Sequence, residues 1–270
     1  MNYWILAFLA GMLGSVIGGN GTFMMTGFVG IVAAIVTKCG GDASLMNNEV
    51  LGCLLMPCVC FNGANAALAY SANVKHYLHN GQNLNRSMLF TQDPIVLLIG
   101  GAAGVLGYGI YYVGDMIGIP CDLGALSVTA LGLVIRFLWG NKKYINNQID
   151  LKQKGWKGYL FQAMVAAAVA LVMGKIIEIT GITSLGFSIS ALSLVFMFLD
   201  PFFPATHHIT MVTGYAIMAT GSYPLTVLFA VIAHMIFLVA CQVGNENVDT
   251  HLDGPAIAIM LTSLMIFVLF

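Results

Sequence analysis

Two of the six histidines in this 270-residue chain stand side by side, at His207-His208. Imidazole titrates near neutral pH, ligates metals through a neutral nitrogen and donates hydrogen bonds. An adjacent pair can therefore move protons, hold a cation or grip a solute; the plainer reading is two histidines facing lipid headgroups. The pair follows Asp200-Pro201-Phe202-Phe203-Pro204-Ala205-Thr206. Two prolines so close cannot occupy a regular helix interior, since each lacks an N–H and clashes with the preceding turn. Asp200 is expected to end one helix and Thr206 to cap the next.

Further along, His251-Leu252-Asp253-Gly254-Pro255 sets an imidazole and a carboxylate two positions apart. They can share a ligand where the backbone is extended. Asp253 ahead of Pro255 reads as a helix N-cap with proline in the first turn, the device also seen at Asp93-Pro94. His234 stands alone in an apolar run. An ionisable group at bilayer depth is costly and is expected to face a cavity or a partner; the simpler account is a packed, hydrogen-bonded histidine. Glu178 lies near the end of another run.

The segment Gly18-Gly19-Asn20-Gly21-Thr22 interrupts an apolar stretch far longer than one membrane crossing. Glycines tolerate positive φ and let a helix open. Asn20 or Thr22 would then cap a second half-helix, whose free N–H groups and partial positive charge would suit an anion or a carbonyl oxygen. The alternative is a tight turn between two helices. Asn48 and Glu49 begin the next apolar run, with Glu49 at its favourable positive end. Asn62 and Asn65 share a face with Cys58, with Asn48 roughly in line. The substrate-binding candidates are thus Asn20, Thr22, Asn48, Glu49, Thr206, His207, His208 and His234.

The elements that position these residues follow from composition. The chain is 59% hydrophobic and 8% charged, with Lys and Arg numbering 10 against 11 for Asp and Glu. That balance excludes an ordinary soluble domain, a disordered tail and a nucleic-acid binder. Apolar runs such as 94–113 and 225–243 do not alternate, so they are helices rather than barrel strands. About ten segments are expected, near 3–19, 22–37, 47–70, 94–114, 119–139, 159–178, 182–199, 205–220, 223–243 and 255–270. The fold class is an all-α polytopic membrane protein, one membrane domain over 1–270. No cleavage site follows the first run, which is expected to remain as a helix.

Lys142, Lys143, Lys152, Lys154 and Lys157 crowd the connection 140–157, opposed only by Asp150. The positive-inside rule makes that loop cytoplasmic and the location an inner membrane. Lys75 and Arg86 fall on the same side, as does the more acidic loop 244–253. The six cysteines form no CxxC pair and are expected to pack as small apolar residues. Gly100, Gly101, Gly104 and Gly107 make a close-packing face, either internal or joining copies in a homo-oligomer.

Local echoes hint at repeat halves, 1–140 and 158–270, joined by the basic loop. Met24-Met25-Thr26-Gly27-Phe28 resembles Met211-Val212-Thr213-Gly214-Tyr215, and Asp93-Pro94-Ile95 resembles the start of the last segment. These matches pair segments two to four with eight to ten. A third echo, 118–134 with 181–195, does not fit that frame.

The expected function is a transporter or channel for a small solute or ion, passive or coupled to H⁺ or Na⁺, with a midplane site at the breaks near 18–22 and 200–208. It needs no cofactor; its partners are the bilayer and the solute. No P-loop, HExxH or GxSxG motif is present. The alternative is a metal-dependent membrane enzyme, with zinc held by His207, His208, His251 and Asp253, helped by Asp200.

Overall fold

The computed structural model describes residues 2–141, 155–200 and 202–270. Among them the chain is helical, with no strand. The first half comprises α1 (Tyr3–Ile17), α2 (Gly19–Lys38), a π-helical stretch (Leu45–Leu54), α3 (Pro57–Asn73), α4 (Pro94–Met116) and α5 (Leu123–Trp139). The second comprises α6 (Gly155–Thr180), α7 (Leu185–Ser193), a 3₁₀ turn (Leu194–Phe198), α8 (His207–Thr220), α9 (Tyr223–Asn245) and α10 (Gly254–Leu269). Five stretches are long and apolar enough to cross a membrane: Gly19–Lys38, Leu45–Asn73, Pro94–Met116, Gly155–Thr180 and Tyr223–Asn245.

Helices α1, α3 and α4 pack on one another, and α5 lies against α3 and α4. In the second half α6, α8 and α9 pack on one another, and α10 lies against α8 and α9. Between the halves, α2 crosses α7 and α5 meets α10. The glycine face belongs to the first trio. A Cβ on Gly104 would lie 2.5 Å from the Ala7 carbonyl oxygen, and one on Gly101 would strike the Phe8 ring. Gly107 faces Cys58 and Asn62 of α3. Ser15 adds a hydroxyl donated to the Gly11 carbonyl at 3.0 Å. This face is therefore internal.

One end of the bundle is sewn together by polar residues. Asn73 donates to the Trp139 carbonyl at 2.8 Å, Gly81 donates its amide to the Asp249 carbonyl at 2.8 Å, and Gln82 reaches the Asn245 carbonyl at 2.8 Å. The buried Arg136 donates to the Thr250 hydroxyl at 2.8 Å and to its carbonyl at 2.7 Å. The ends of α3, α5 and α9 thus meet the start of α10. Lys75 bridges to Asp93 at 3.1 Å there, so the start of α4 is at this end too. Lys142, Lys143, Lys152 and Lys154 lie outside the described residues. Lys157 is exposed at the start of α6.

Several sequence-based boundaries shift. The expected third segment is two elements, because the helix stops at Leu55 and restarts at Pro57, a residue suited to the first helical position. Thr26 donates to the Leu55 carbonyl at 2.7 Å, satisfying backbone that the break frees. Asn48 is therefore not in line with Asn62. The break at Gly18 exists, with φ +91°, but α2 restarts at once. Neither polar residue caps it: Thr22 donates to the Gly19 carbonyl at 2.7 Å, and Asn20 pairs with Asn85 at 2.7 Å. It is a tight turn seated on the loop before α4, where the Asn20 amide meets the Leu84 carbonyl.

Candidate functional site

A cavity of about 440 Å³ opens where α2 and α7 cross beside the starts of α5, α8 and α10. Helix starts carry unpaired N–H groups and a partial positive charge. Two of them are closed by aspartates on the cavity wall. Asp122 accepts from the Ala125 amide at 2.7 Å and heads α5; Asp253 accepts from the Ala256 amide at 2.8 Å and heads α10. Tyr215 donates its hydroxyl to the other oxygen of Asp122 at 2.6 Å. His251 lies 3.5 Å from Asp253, since residues 251–253 are non-helical and bring the two rungs together.

His207, the first residue of α8, lines the same cavity and is 5% exposed. Its ring stacks on Phe23 at 5.2 Å and meets the edge of Phe187 at 6.0 Å. Both of its ring nitrogens are buried without a hydrogen-bond partner. Buried polar atoms are nearly always paired, so this ring has unused capacity facing the cavity.

His208 turns the other way. Its Nε2 lies 2.8 Å from Nδ1 of His234, whose Nε2 lies 2.8 Å from Oε1 of Gln162. A carbonyl oxygen only accepts, so His234 carries its proton on Nε2 and takes one from His208 on Nδ1. The rings are held by stacking, with Phe237 at 4.1 Å from His208. The adjacent histidines therefore serve different places, one the cavity and one a buried chain to α6.

The other sequence candidates lie elsewhere. Asn48 is exposed, and Glu49 accepts from the Tyr3 hydroxyl at 3.0 Å on the π-helical stretch. Thr206 precedes α8 but makes no cap; its hydroxyl goes to Ser190 at 3.0 Å. Asn20 and Thr22 do not line the cavity. Glu178 is on the surface, bridged to Lys175 at 2.7 Å. The proposed zinc ligands do not assemble as a set: Asp200 is exposed and His208 points away. Among the described residues no three His, Cys, Asp or Glu side chains converge to hold a metal.

Sequence reasoning missed Asp122, Tyr215 and the aromatic pair Phe23 and Phe187. Asp122 carries the same signal as Asp93 and Asp253, an aspartate just ahead of an apolar run. It was hidden because the run looked continuous from residue 119. The aromatic residues sit among 16 phenylalanines and 10 tyrosines and have no local mark.

No curated protein and no solved structure shows a significant match to the chain. The model of DUF7973, a family of unknown function, matches residues 1–152 and 146–270, and the chain belongs to that family.

Proposed function

We propose that the chain is an integral membrane transporter for a small solute or ion, passive or coupled to H⁺ or Na⁺, built from two inverted halves around the cavity. The observation that carries this reading is the pattern of packing. Each helix from α1 to α5 has the partners within its half that its counterpart from α6 to α10 has, and α2 with α7 and α5 with α10 are counterparts in contact. Helices α4 and α9 each span 23 residues with proline in the first turn, and α5 and α10 each start at a capping aspartate. Direction is reversed: α4 begins at the sewn end while α9 finishes there, and α5 finishes where α10 begins. Phe23 of α2 and Phe187 of α7 meet at this crossing, with rings 6.0 Å apart. This frame replaces the one drawn from local echoes, which set α2 against α8.

An odd number of crossings in each half produces such inversion, and sites in inverted-repeat carriers lie near the midplane at interrupted helices. Here the interruptions before α3 and α8 both adjoin the cavity. Exposed Phe137, Phe161 and Phe198 give the exterior an apolar surface that suits lipid. By the positive-inside rule, the end bearing Lys75 and Arg86 would face the cytoplasm. The test is flux. Proteoliposomes carrying the full chain are exposed to isosmotic solutes of each charge class, with swelling and internal pH followed. Faster entry of one class than in protein-free vesicles supports transport; identical traces for every class and for Na⁺ and H⁺ refute it.

A further inference from the structure

We infer that the cavity binds a small organic cation, an ammonium group carried on an apolar body. The inference rests on the transport reading for its setting, and on the cavity's own chemistry for its content. Among the described residues the lining contains two carboxylates, Asp122 and Asp253, and no lysine or arginine. The helix starts do not favour an anion, because these carboxylates already occupy their N–H groups at Ala125 and Ala256. A carboxylate oxygen has two acceptor sites. Each oxygen of Asp122 has one partner, the Ala125 amide or the Tyr215 hydroxyl. Each oxygen of Asp253 has one partner as well, the Ala256 amide or His251. Capacity to accept N–H donors from a ligand therefore remains on both.

His207 supplies the independent sign of a ligand. Its ring is buried, faces the cavity, and has no partner on either nitrogen. A neutral imidazole accepts one hydrogen bond and donates one, so an ammonium N–H would fill the acceptor. Five aromatic rings, Phe23, Tyr111, Phe187, Tyr215 and Phe267, also line the wall, among aliphatic side chains and a few hydroxyls. Ring faces attract cations, and the apolar side chains shelter a hydrocarbon body, which a bare alkali ion lacks. The volume of about 440 Å³ falls in the range of small-molecule sites.

The test uses the full chain purified in detergent, at fixed ionic strength and neutral pH. Thermal unfolding is followed with propylammonium to hexylammonium and choline, with the matching alcohols and carboxylates, and with Na⁺ and K⁺. A ligand that binds only the folded form raises the midpoint as its concentration passes Kd. Ammonium ions are expected to stabilise the protein saturably, and D122N and D253N to weaken that binding about tenfold or more. Asparagine is as good an N-cap as aspartate, so both variants keep their helix starts. Equal stabilisation by alcohols or carboxylates, stabilisation by alkali ions alone, or none by any probe overturns the inference. Flux of the same probes separates it from the transport reading. Ammonium binding without flux removes transport and leaves the cation site; flux of uncharged or anionic solutes without ammonium binding does the reverse.

Discussion

Tyr215 donates its phenolic proton to Asp122 across 2.6 Å, tying the middle of α8 to the first turn of α5. The two residues come from different halves, and the bond holds one carboxylate of the cavity in a single orientation. The Ala125 amide holds the other oxygen of the same group. Asn65 of α3 plays a related part at the other helix start, donating to the His251 carbonyl at 3.3 Å. Hydrogen bonds to a charged group contribute about 1.5–3 kcal/mol. Tyr215→Phe should lower stability by an amount in that range, read as a lower unfolding midpoint, while leaving helix content intact. An unchanged midpoint would show that the bond does not hold the halves.

The packing of α1 on α4 has no room for a side chain at Gly104, because a Cβ there meets the Ala7 carbonyl and the backbone of Gly11. Backbone cannot rotate away as a side-chain tip can. Gly104→Val should cost about 1–3 kcal/mol or more and reduce the yield of folded protein in detergent. Gly118→Ala is the control for volume, since nothing lies within 4 Å of that position, although its φ of +68° adds local strain. Gel filtration of both variants compares them; equal monodisperse yield of Gly104→Val and the natural chain would contradict the close approach.

Much of the architecture was legible because lipid-compatible helices announce themselves by length and apolarity. Proline and aspartate marked the starts of α4 and α10 for the reason that a proline loses nothing at a first turn and a carboxylate satisfies free amides. The interruption before α8 was visible in its two prolines. The one before α3 was also marked, by Pro57, but apolar residues on both sides concealed it. What sequence could not show was direction: nothing in His207-His208 tells which ring faces α2 and which faces α9. Successive residues on a helix point about 100° apart, so the pair had to divide, and only packing decides how. Asn20 and Glu49 were attractive as polar residues in apolar surroundings. Both turn out to face loops and neighbouring side chains at the margins.

His234 is the centre of a chain running from His208 to Gln162, with 2.8 Å on each side. His234→Phe keeps an aromatic ring beside Phe237 but removes an acceptor from His208 and a donor from Gln162. Leaving such groups buried and unpaired costs about 1–3 kcal/mol. The variant should unfold at lower temperature, and in the natural chain nitrogen-resolved NMR of labelled histidine should show Nε2-protonated rings at both His208 and His234. An Nδ1-protonated ring at either residue would contradict this chain of hydrogen bonds.

Outside the apolar helices, Asp93 is held below the usual carboxylate range, first by the Ile95 amide and then by Lys75. A carboxyl whose folded value is lowered stabilises the fold at and above its ordinary range. That contribution fades as pH falls through the lowered value. The cap of α4 should therefore loosen in acid, which amide exchange at Ile95 reads directly. Asp93→Asn should flatten this pH dependence; an equally steep acid-side loss in the variant would assign it to other groups.

The most direct test of the central claim compares two sets of variants in the proteoliposome flux assay, using whichever solute the wild-type chain carries. Asp122→Asn and Asp253→Asn alter the cavity; Asn20→Ala and Glu49→Gln alter polar residues outside it. The first pair is expected to insert and fold but lose most of its flux, while the second pair transports as the natural chain does. Full flux in the aspartate variants, with loss in Asn20→Ala or Glu49→Gln, would contradict it and move the site to the margins of the bundle.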